Sequence, residues 1–224
     1  MNILTTLEKL GGLLQGHFVL KSGRHSDQYL NKDVIYPHVN IMQQIGEAIA
    51  DLARTNHLPF FDVVIGPEKG GIILAQWTAF ALRNQECPPL APDICNCETL
   101  VVSHGRIHNI PPRNQECPPL ALYAEKTDTG FTFKRGYDQL LHNQQILLVE
   151  DILTTGGSIQ AVTEATQQAG GTVIGTIALV NRGNVQLPNL YTLATMQATS
   201  WTPEECPLCK TGVPINTNVG HGKK

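Results

Sequence analysis

The chain has 224 residues, 42% hydrophobic and 16% charged, with 16 Lys+Arg against 19 Asp+Glu and a formal net charge of -3. Such a composition can bury a sizeable core and excludes a disordered chain, while the acidic balance argues against a surface that coats nucleic acid. No apolar run reaches the roughly 18 residues of a membrane span. The first residues, MNILTTLEKLGGLLQGHF, carry an acid and a Gly-Gly pair where a secretion signal needs unbroken apolar sequence. A cytoplasmic protein of one domain is expected, its six cysteines thiols or metal ligands before disulfides.

In chain order, Leu4, Leu7, Leu10 and Leu14 share a helical face, which predicts a first helix ending near Gly16. Between Phe18 and Asn31, short β-like runs flank a basic turn, Lys21-Ser22-Gly23-Arg24. Ile41, Ile45, Ala48, Ile49 and Leu52 keep a 3.6 period and predict a second helix from about residue 40. A core strand over 61–65 runs into Gly66-Pro67-Glu68-Lys69-Gly70-Gly71 and a helix over 72–82. Strand and helix alternate again from Leu120. A strand over 120–124, a hairpin arm over 130–136, an apolar strand over 146–149, a helix over 157–169 and a last strand over 173–180 follow. This alternation predicts an α/β fold, a parallel sheet with helices on both faces, whose ligands bind beyond the carboxyl ends of the strands.

One segment breaks the pattern. Arg83-Asn84-Gln85-Glu86-Cys87-Pro88-Pro89-Leu90-Ala91 recurs letter for letter from Arg113 to Ala121. Two copies are too few for a solenoid, and removal of one period leaves a helix-turn-strand link. Residues 84–113 therefore read as a duplicated insertion looping out of a complete fold.

The chemistry concentrates in Leu147-Leu148-Val149-Glu150-Asp151-Ile152-Leu153-Thr154-Thr155-Gly156-Gly157-Ser158. A buried strand delivers two adjacent carboxylates to its end, and a turn rich in hydroxyls and glycine leads into a helix. The amides of such a turn, with the positive end of the helix dipole, form an anion cradle. Paired acids beside a phosphate repel it unless they meet hydroxyls or a cation, which points to a sugar phosphate with Mg2+.

This string resembles the 5-phosphoribosyl-1-pyrophosphate (PRPP) signature of the type I phosphoribosyltransferases. The resemblance implies that Glu150 and Asp151 contact the ribose hydroxyls, and that Thr154, Thr155, Gly156, Gly157 and Ser158 bind the 5′-phosphate. Further stretches are similar to the orotate-specific branch. Phe18 to Ser26, with Tyr29, looks like the segment that forms part of a hood over the base, with Lys21 near the ligand. Val64 to Ile72 resembles the second anion loop, in which Lys69 meets the pyrophosphate; Glu68 departs from the small or apolar residue common there. Ala124 to Asp128, continuing to Phe133-Lys134-Arg135-Gly136, is similar to the mobile catalytic loop. It makes Lys126 the candidate for pyrophosphate contact, with Lys134 and Arg135 behind it. Arg182, at the end of the last predicted strand, stands where the family grips the orotate carboxylate.

The resemblance spans most of the chain and implies a single domain over residues 1–224, with residues 1–35 contributing to a hood built from both termini. It also implies an Mg2+-dependent transfer, Asp151 and Lys126 as catalytic residues, and a homodimer with shared sites. Two other readings differ in class: transfer to another base, and a PRPP-sensing regulator that binds nucleic acid. Cys206-Pro207-Leu208-Cys209 could supply half of a zinc site, but Cys95-Asn96-Cys97 is an unusual second half. Apart from His104 and His108, no two histidines have ligand spacing, so unmetallated thiols are expected.

Overall fold

The computed structural model describes residues 1–20, 22–83, 101–103, 106–108, 119–197 and 199–219. Helix α1 (Ile3–Lys9) starts where the Asn2 side chain accepts the Thr5 N–H at 3.1 Å. It stops at two glycines. Gly11 adopts φ +70, and a Cβ on Gly12 would lie 2.7 Å from the Asn31 carbonyl oxygen. Leu13 and Leu14 therefore begin strand β1 (Leu13–Val19), and the helix expected to reach Gly16 is shorter. Strand β2 (His25–Leu30) pairs antiparallel with β1, and the register slips between Gln15 and Phe18. Gly16 and His17 thus bulge opposite Asp27.

A 3-10 turn, Lys32–Val34, leads to α2 (Val39–Thr55), then β3 (Val63–Pro67) and α3 (Gly70–Arg83). Between α3 and residue 120 two short strands, β4 (Val101–Ser103) and β5 (Arg106–His108), pair antiparallel. Most of the duplicated sequence, including Cys87, Cys95, Cys97 and Cys117, lies outside the described residues. The chain continues through β6 (Leu120–Lys126), β7 (Phe131–Thr132), β8 (Gln145–Leu153), α4 (Gly157–Gln168) and β9 (Thr172–Asn181). Strand β10 (Leu190–Thr195) and the short α5 (Pro207–Lys210) complete it.

The central sheet has the order β10-β9-β8-β3-β6-β7, parallel except for the β6–β7 pair. Its strands are apolar on both faces because both are covered. Val64, Leu147, Val149, Ile177 and Leu179 pack toward α1, α2 and α3, whereas Val63, Ile65, Leu148 and Ala178 pack with Ile159 and Val162 of α4. The α/β expectation holds. The strand that carries Arg182 toward the site is not the last, however, since β10 pairs in parallel beyond it.

Both chain ends meet at the hairpin. His25 and Trp201 exchange backbone hydrogen bonds at 2.8 and 2.9 Å. Ser26 donates to the Thr199 carbonyl at 2.8 Å, and Arg24 donates to Ser200 Oγ and O at 3.0 and 2.6 Å. Among the described residues no helix is long and apolar enough to cross a membrane.

Candidate active site

The site gathers at the carboxyl ends of β3, β6, β8 and β9. Strand β8 carries Glu150 and Asp151, which are 7% and 5% exposed. A carboxylate pair so buried needs partners. Asp151 Oδ1 accepts the Ile152 N–H at 2.6 Å, Glu150 Oε1 accepts the Asp151 N–H at 3.0 Å, and Asp151 Oδ2 takes the Lys32 ammonium and the Tyr36 hydroxyl, the latter at 2.9 Å. Burial, and then the Asp151 charge, push the Glu150 carboxyl up to about 8. Burial, reinforced by Asp151, raises the Tyr36 phenol well above its ordinary value. The cation that the paired acids call for is therefore supplied in part by the chain itself, through Lys32. Gly70 makes the approach possible, because a Cβ there would lie 2.0 Å from Asp151 Oδ2 and 2.2 Å from the Tyr36 oxygen.

Past β8 the chain turns through Thr154, Thr155 and Gly156 into α4. Gly156 sits at φ +78 as the helix N-cap, and no side chain caps the helix. Thr154, Thr155, Gly157 and Ser158 are exposed around amides that have no intrahelical acceptor, an arrangement suited to a phosphate. The turn is held from the next strand. Arg182 and Gly183 donate their N–H groups to the Leu153 carbonyl at 2.8 and 3.2 Å, and a Cβ on Gly183 would fall 1.6 Å from the Thr154 oxygen.

The second loop follows β3. Lys69 is exposed beside Glu68, and the peptide between them is cis. Glu68 finds its role here: its backbone N–H donates to the Ala124 carbonyl at 3.0 Å, and its Oε2 accepts the Lys126 N–H at 3.1 Å. The acid links two loops. Lys126 is exposed and its ammonium has no ion-pair partner among the described residues. Lys134 and Arg135 differ, for both pair with Glu125: Lys134 at 2.8 Å, while Arg135 also reaches Tyr123 Oη at 2.7 Å. The Lys134 bond, then the Arg135 charge, hold the Glu125 carboxyl below the usual range.

Arg182 is half-buried, and burial draws its pKa below the ordinary value. It donates to the Gln28 carbonyl of β2 at 3.1 Å and so ties the hairpin to the sheet, with most of its five N–H donors uncommitted among the described residues. Lys21 lies outside the described residues. The structure thus brings Glu150, Asp151, Thr154, Thr155, Gly156, Gly157, Ser158 and Arg182 to one end of the sheet, with Lys69 and Lys126 on adjoining loops. Sequence reasoning missed Lys32 and Tyr36. Their only signal was a lysine and a tyrosine four residues apart just after the hairpin.

Residues 31–207 match the phosphoribosyl transferase domain family. The chain is 31% identical over 216 residues to the orotate phosphoribosyltransferase of Caldanaerobacter subterraneus subsp. tengcongensis, covering 95% of this chain and 93% of that protein. It is 31% identical over 215 residues to that of Pelotomaculum thermopropionicum, with the same coverage. Among solved structures, the orotate phosphoribosyltransferase of Aeropyrum pernix superposes with a TM-score of 0.62 at 21% identity, over 87% of this chain and 93% of that one. An adenine phosphoribosyltransferase from Thermoanaerobacter pseudethanolicus superposes at 0.54 and 16% identity, over 86% and 99%, so the fold by itself does not select the base. On its sequence relatives and its architecture together, the chain belongs to the phosphoribosyltransferase family and, within it, to the orotate phosphoribosyltransferases.

Proposed function

We propose that the chain joins orotate to the phosphoribosyl group of PRPP: a bond forms between N1 of the base and the anomeric carbon, the bond to pyrophosphate breaks, the N1 proton passes to the pyrophosphate or to water, and orotidine 5′-phosphate is made for pyrimidine nucleotide synthesis. One observation carries the reading, namely that the paired acids of β8 run directly into the uncapped, glycine-rich N-terminus of α4. In this reading the amides and hydroxyls of residues 154–158 hold the 5′-phosphate, and Glu150 and Asp151 hold the ribose hydroxyls. Lys69 and Lys126 face the departing pyrophosphate and stabilise the charge that develops on it. Asp151 and Lys126 are the catalytic residues, acting by position and charge rather than by attack. Arg182 receives the orotate carboxylate. Lys134 and Arg135, engaged with Glu125, set the shape of the loop and reach pyrophosphate only by leaving that partner.

Magnesium belongs to the same proposal. It takes hard oxygen ligands, commonly one or two carboxylates together with substrate phosphates. Glu150 and Asp151 are such donors, too few for an all-protein cage and sufficient for an ion shared with PRPP. When bound, the ion would neutralise charge on the leaving pyrophosphate. A homodimer with shared sites and a cytoplasmic location are part of the proposal too, supported by the resemblance. Nucleic acid is not a proposed partner, given the net charge of -3.

The test is turnover of PRPP and Mg2+ with orotate, adenine, hypoxanthine or uracil. Orotate alone is expected to react, with the rate dependent on Mg2+ and lost in Arg182→Ala. Turnover of a different base would keep the fold and overturn the assignment of Arg182. PRPP binding without any turnover, accompanied by salt-sensitive RNA or DNA binding, would replace the enzyme with a sensor.

A further inference from the structure

At the hairpin, where early and late segments of the chain meet, four side chains converge on one point. His17 comes from the bulge of β1, His25 opens β2, and Cys206 and Cys209 flank the start of α5. His17, His25 and Cys206 are 2%, 6% and 0% exposed, and Cys209 is exposed. One nitrogen or sulfur from each lies within 4.8 Å of all the others. His17 Nε2 is 2.7 Å from His25 Nδ1, and 3.6 Å from both Cys206 Sγ and Cys209 Sγ; Cys209 Sγ is 3.3 Å from His25 Nδ1.

Protons alone satisfy this group poorly. The Val213 carbonyl lies 2.7 Å from His17 Nδ1, so that nitrogen carries the hydrogen and Nε2 presents its lone pair inward. Three atoms then approach a single lone pair, which accepts one hydrogen well. A cation at the centre serves all four. Tetrahedral zinc, with bonds of about 2.0–2.1 Å to nitrogen and 2.3 Å to sulfur, separates N from S by about 3.6 Å, close to the 3.3 and 3.6 Å found, and N from N by about 3.3 Å, so the two imidazoles, 2.7 Å apart here, separate by about 0.6 Å as the ion enters. The Val213 carbonyl is the outer-shell acceptor that fixes the tautomer of a ligating histidine. The turn around α5 is ordered independently: Cys206 donates its N–H to the Thr202 carbonyl at 3.0 Å, and the Gly212 N–H donates to the Cys209 carbonyl at 3.1 Å. The sequence expectation of unmetallated thiols overlooked this set because a bulge, not a helix, aims His17.

We propose that His17, His25, Cys206 and Cys209 bind one structural zinc ion that fastens the C-terminal segment to the N-terminal hairpin. Two thiols and two imidazoles in a tetrahedron favour zinc over hard cations, and a closed set of four leaves no position for substrate. Binding displaces the thiol protons, so the metal joins the two termini only as the fold forms.

The test uses the untagged full chain, purified under reducing conditions, loaded with zinc and dialysed. About one zinc per chain is expected, and replacement by Co2+ should give the visible bands of tetrahedral cobalt with thiolate charge transfer in the near ultraviolet. Cys209→Ser, at the exposed ligand, should weaken zinc by more than the roughly 10- to 100-fold that a lost outer-shell partner costs. Replacing Cys87, Cys95, Cys97 and Cys117 together by serine should leave one zinc bound. Less than stoichiometric zinc, a cobalt spectrum without thiolate bands, or loss of zinc in the fourfold variant with retention in Cys209→Ser would each overturn the proposal. The cobalt spectrum of the unsubstituted chain decides even where a variant does not fold.

Discussion

Lys32 and Asp151 form an ion pair in which the carboxylate is 7% exposed and the ammonium 31%. The lysine comes from the turn after the hairpin and the acid from the centre of the sheet, so the pair fixes the hairpin's exit against the site. Removing Lys32 leaves a buried carboxylate short of its counter-charge. Lys32→Met is expected to lower kcat/KM for PRPP roughly 30-fold, about 2 kcal/mol, the partial exposure of the lysine keeping the loss below that of a fully buried pair. Lys32→Arg should recover part of it. Unchanged kinetics in Lys32→Met would remove the lysine from the site.

Glu150 makes the free protein's stability depend on pH. Its carboxyl holds a proton up to about 8 in the fold, against 4.5 ordinarily. Between those values the native state binds more protons than the unfolded one, so this group's contribution to stability is present below 4.5 and falls as pH rises toward about 8. Glu150→Gln should flatten the fall. Parallel melting-temperature profiles for the two proteins across that window would show that Glu150 does not hold the proton.

Two glycines at the phosphate turn should respond differently to alanine. At Gly183 the new Cβ meets the Thr154 carbonyl at 1.6 Å, a backbone atom that moves only with the turn. Gly183→Ala is expected to raise the Kd for PRPP tenfold or more, an effect of at least about 1.4 kcal/mol. At Gly157 the nearest atom is Thr155 Oγ1 at 3.6 Å, an ordinary contact. Gly157→Ala should therefore keep its melting temperature, and calorimetric titration with PRPP alongside thermal melts separates the two cases.

Glu68 is expected to act through Lys126. Glu68→Ala frees the Lys126 N–H at an exposed position, where a hydrogen bond to a charged group is worth about 1.5 kcal/mol or less after solvent screening. A roughly 3- to 10-fold rise in KM for PRPP is expected, with Glu68→Gln near the parent because the amide oxygen still accepts. A fall in KM on removing the acid would mean that its charge repels pyrophosphate more than its bond orders the loop.

Arg182→Lys tests the anchor more finely than alanine does. Lysine keeps the charge but lacks the planar fork, so a carboxylate held bidentately loses one of its bonds. The expected outcome is a KM for orotate raised at least about 30-fold with the KM for PRPP little changed, read by varying each substrate in turn. Equal effects on both substrates would assign the Arg182 side chain to tying the hairpin to the sheet through the Gln28 carbonyl rather than to the orotate carboxylate.

The parts of this site that the residues show by themselves, without the family resemblance that singled out Lys69, Lys126 and Arg182, are those that are contiguous. Strand β8, both acids and the phosphate turn occupy one string because a strand-turn-helix places consecutive residues around one ligand. Lys32 and Tyr36 were hidden because they reach Asp151 across 119 and 115 residues of chain. Strand β10 was missed because Leu190 to Thr195 lies at the edge of the sheet with no residue fully buried, which leaves a weak apolar signal. The period of Leu10 and Leu14 overstates the first helix, because Gly11 and Gly12 end it. Glu68 looked out of place only while its partner, a backbone amide on a different strand, was out of view.

The meeting of the two chain ends at the β1–β2 hairpin also orders events during synthesis. The hairpin leaves the ribosome well before its partners, since His25 waits for Trp201, and His17 for Val213, 196 residues downstream. An isolated two-stranded hairpin is marginal in water. The wall that carries Gln28 to Arg182 therefore gains its backing only after Thr199, Trp201 and Val213 have emerged, and a polypeptide cut short before residue 200 would hold a finished sheet and phosphate turn beneath an unsupported hairpin.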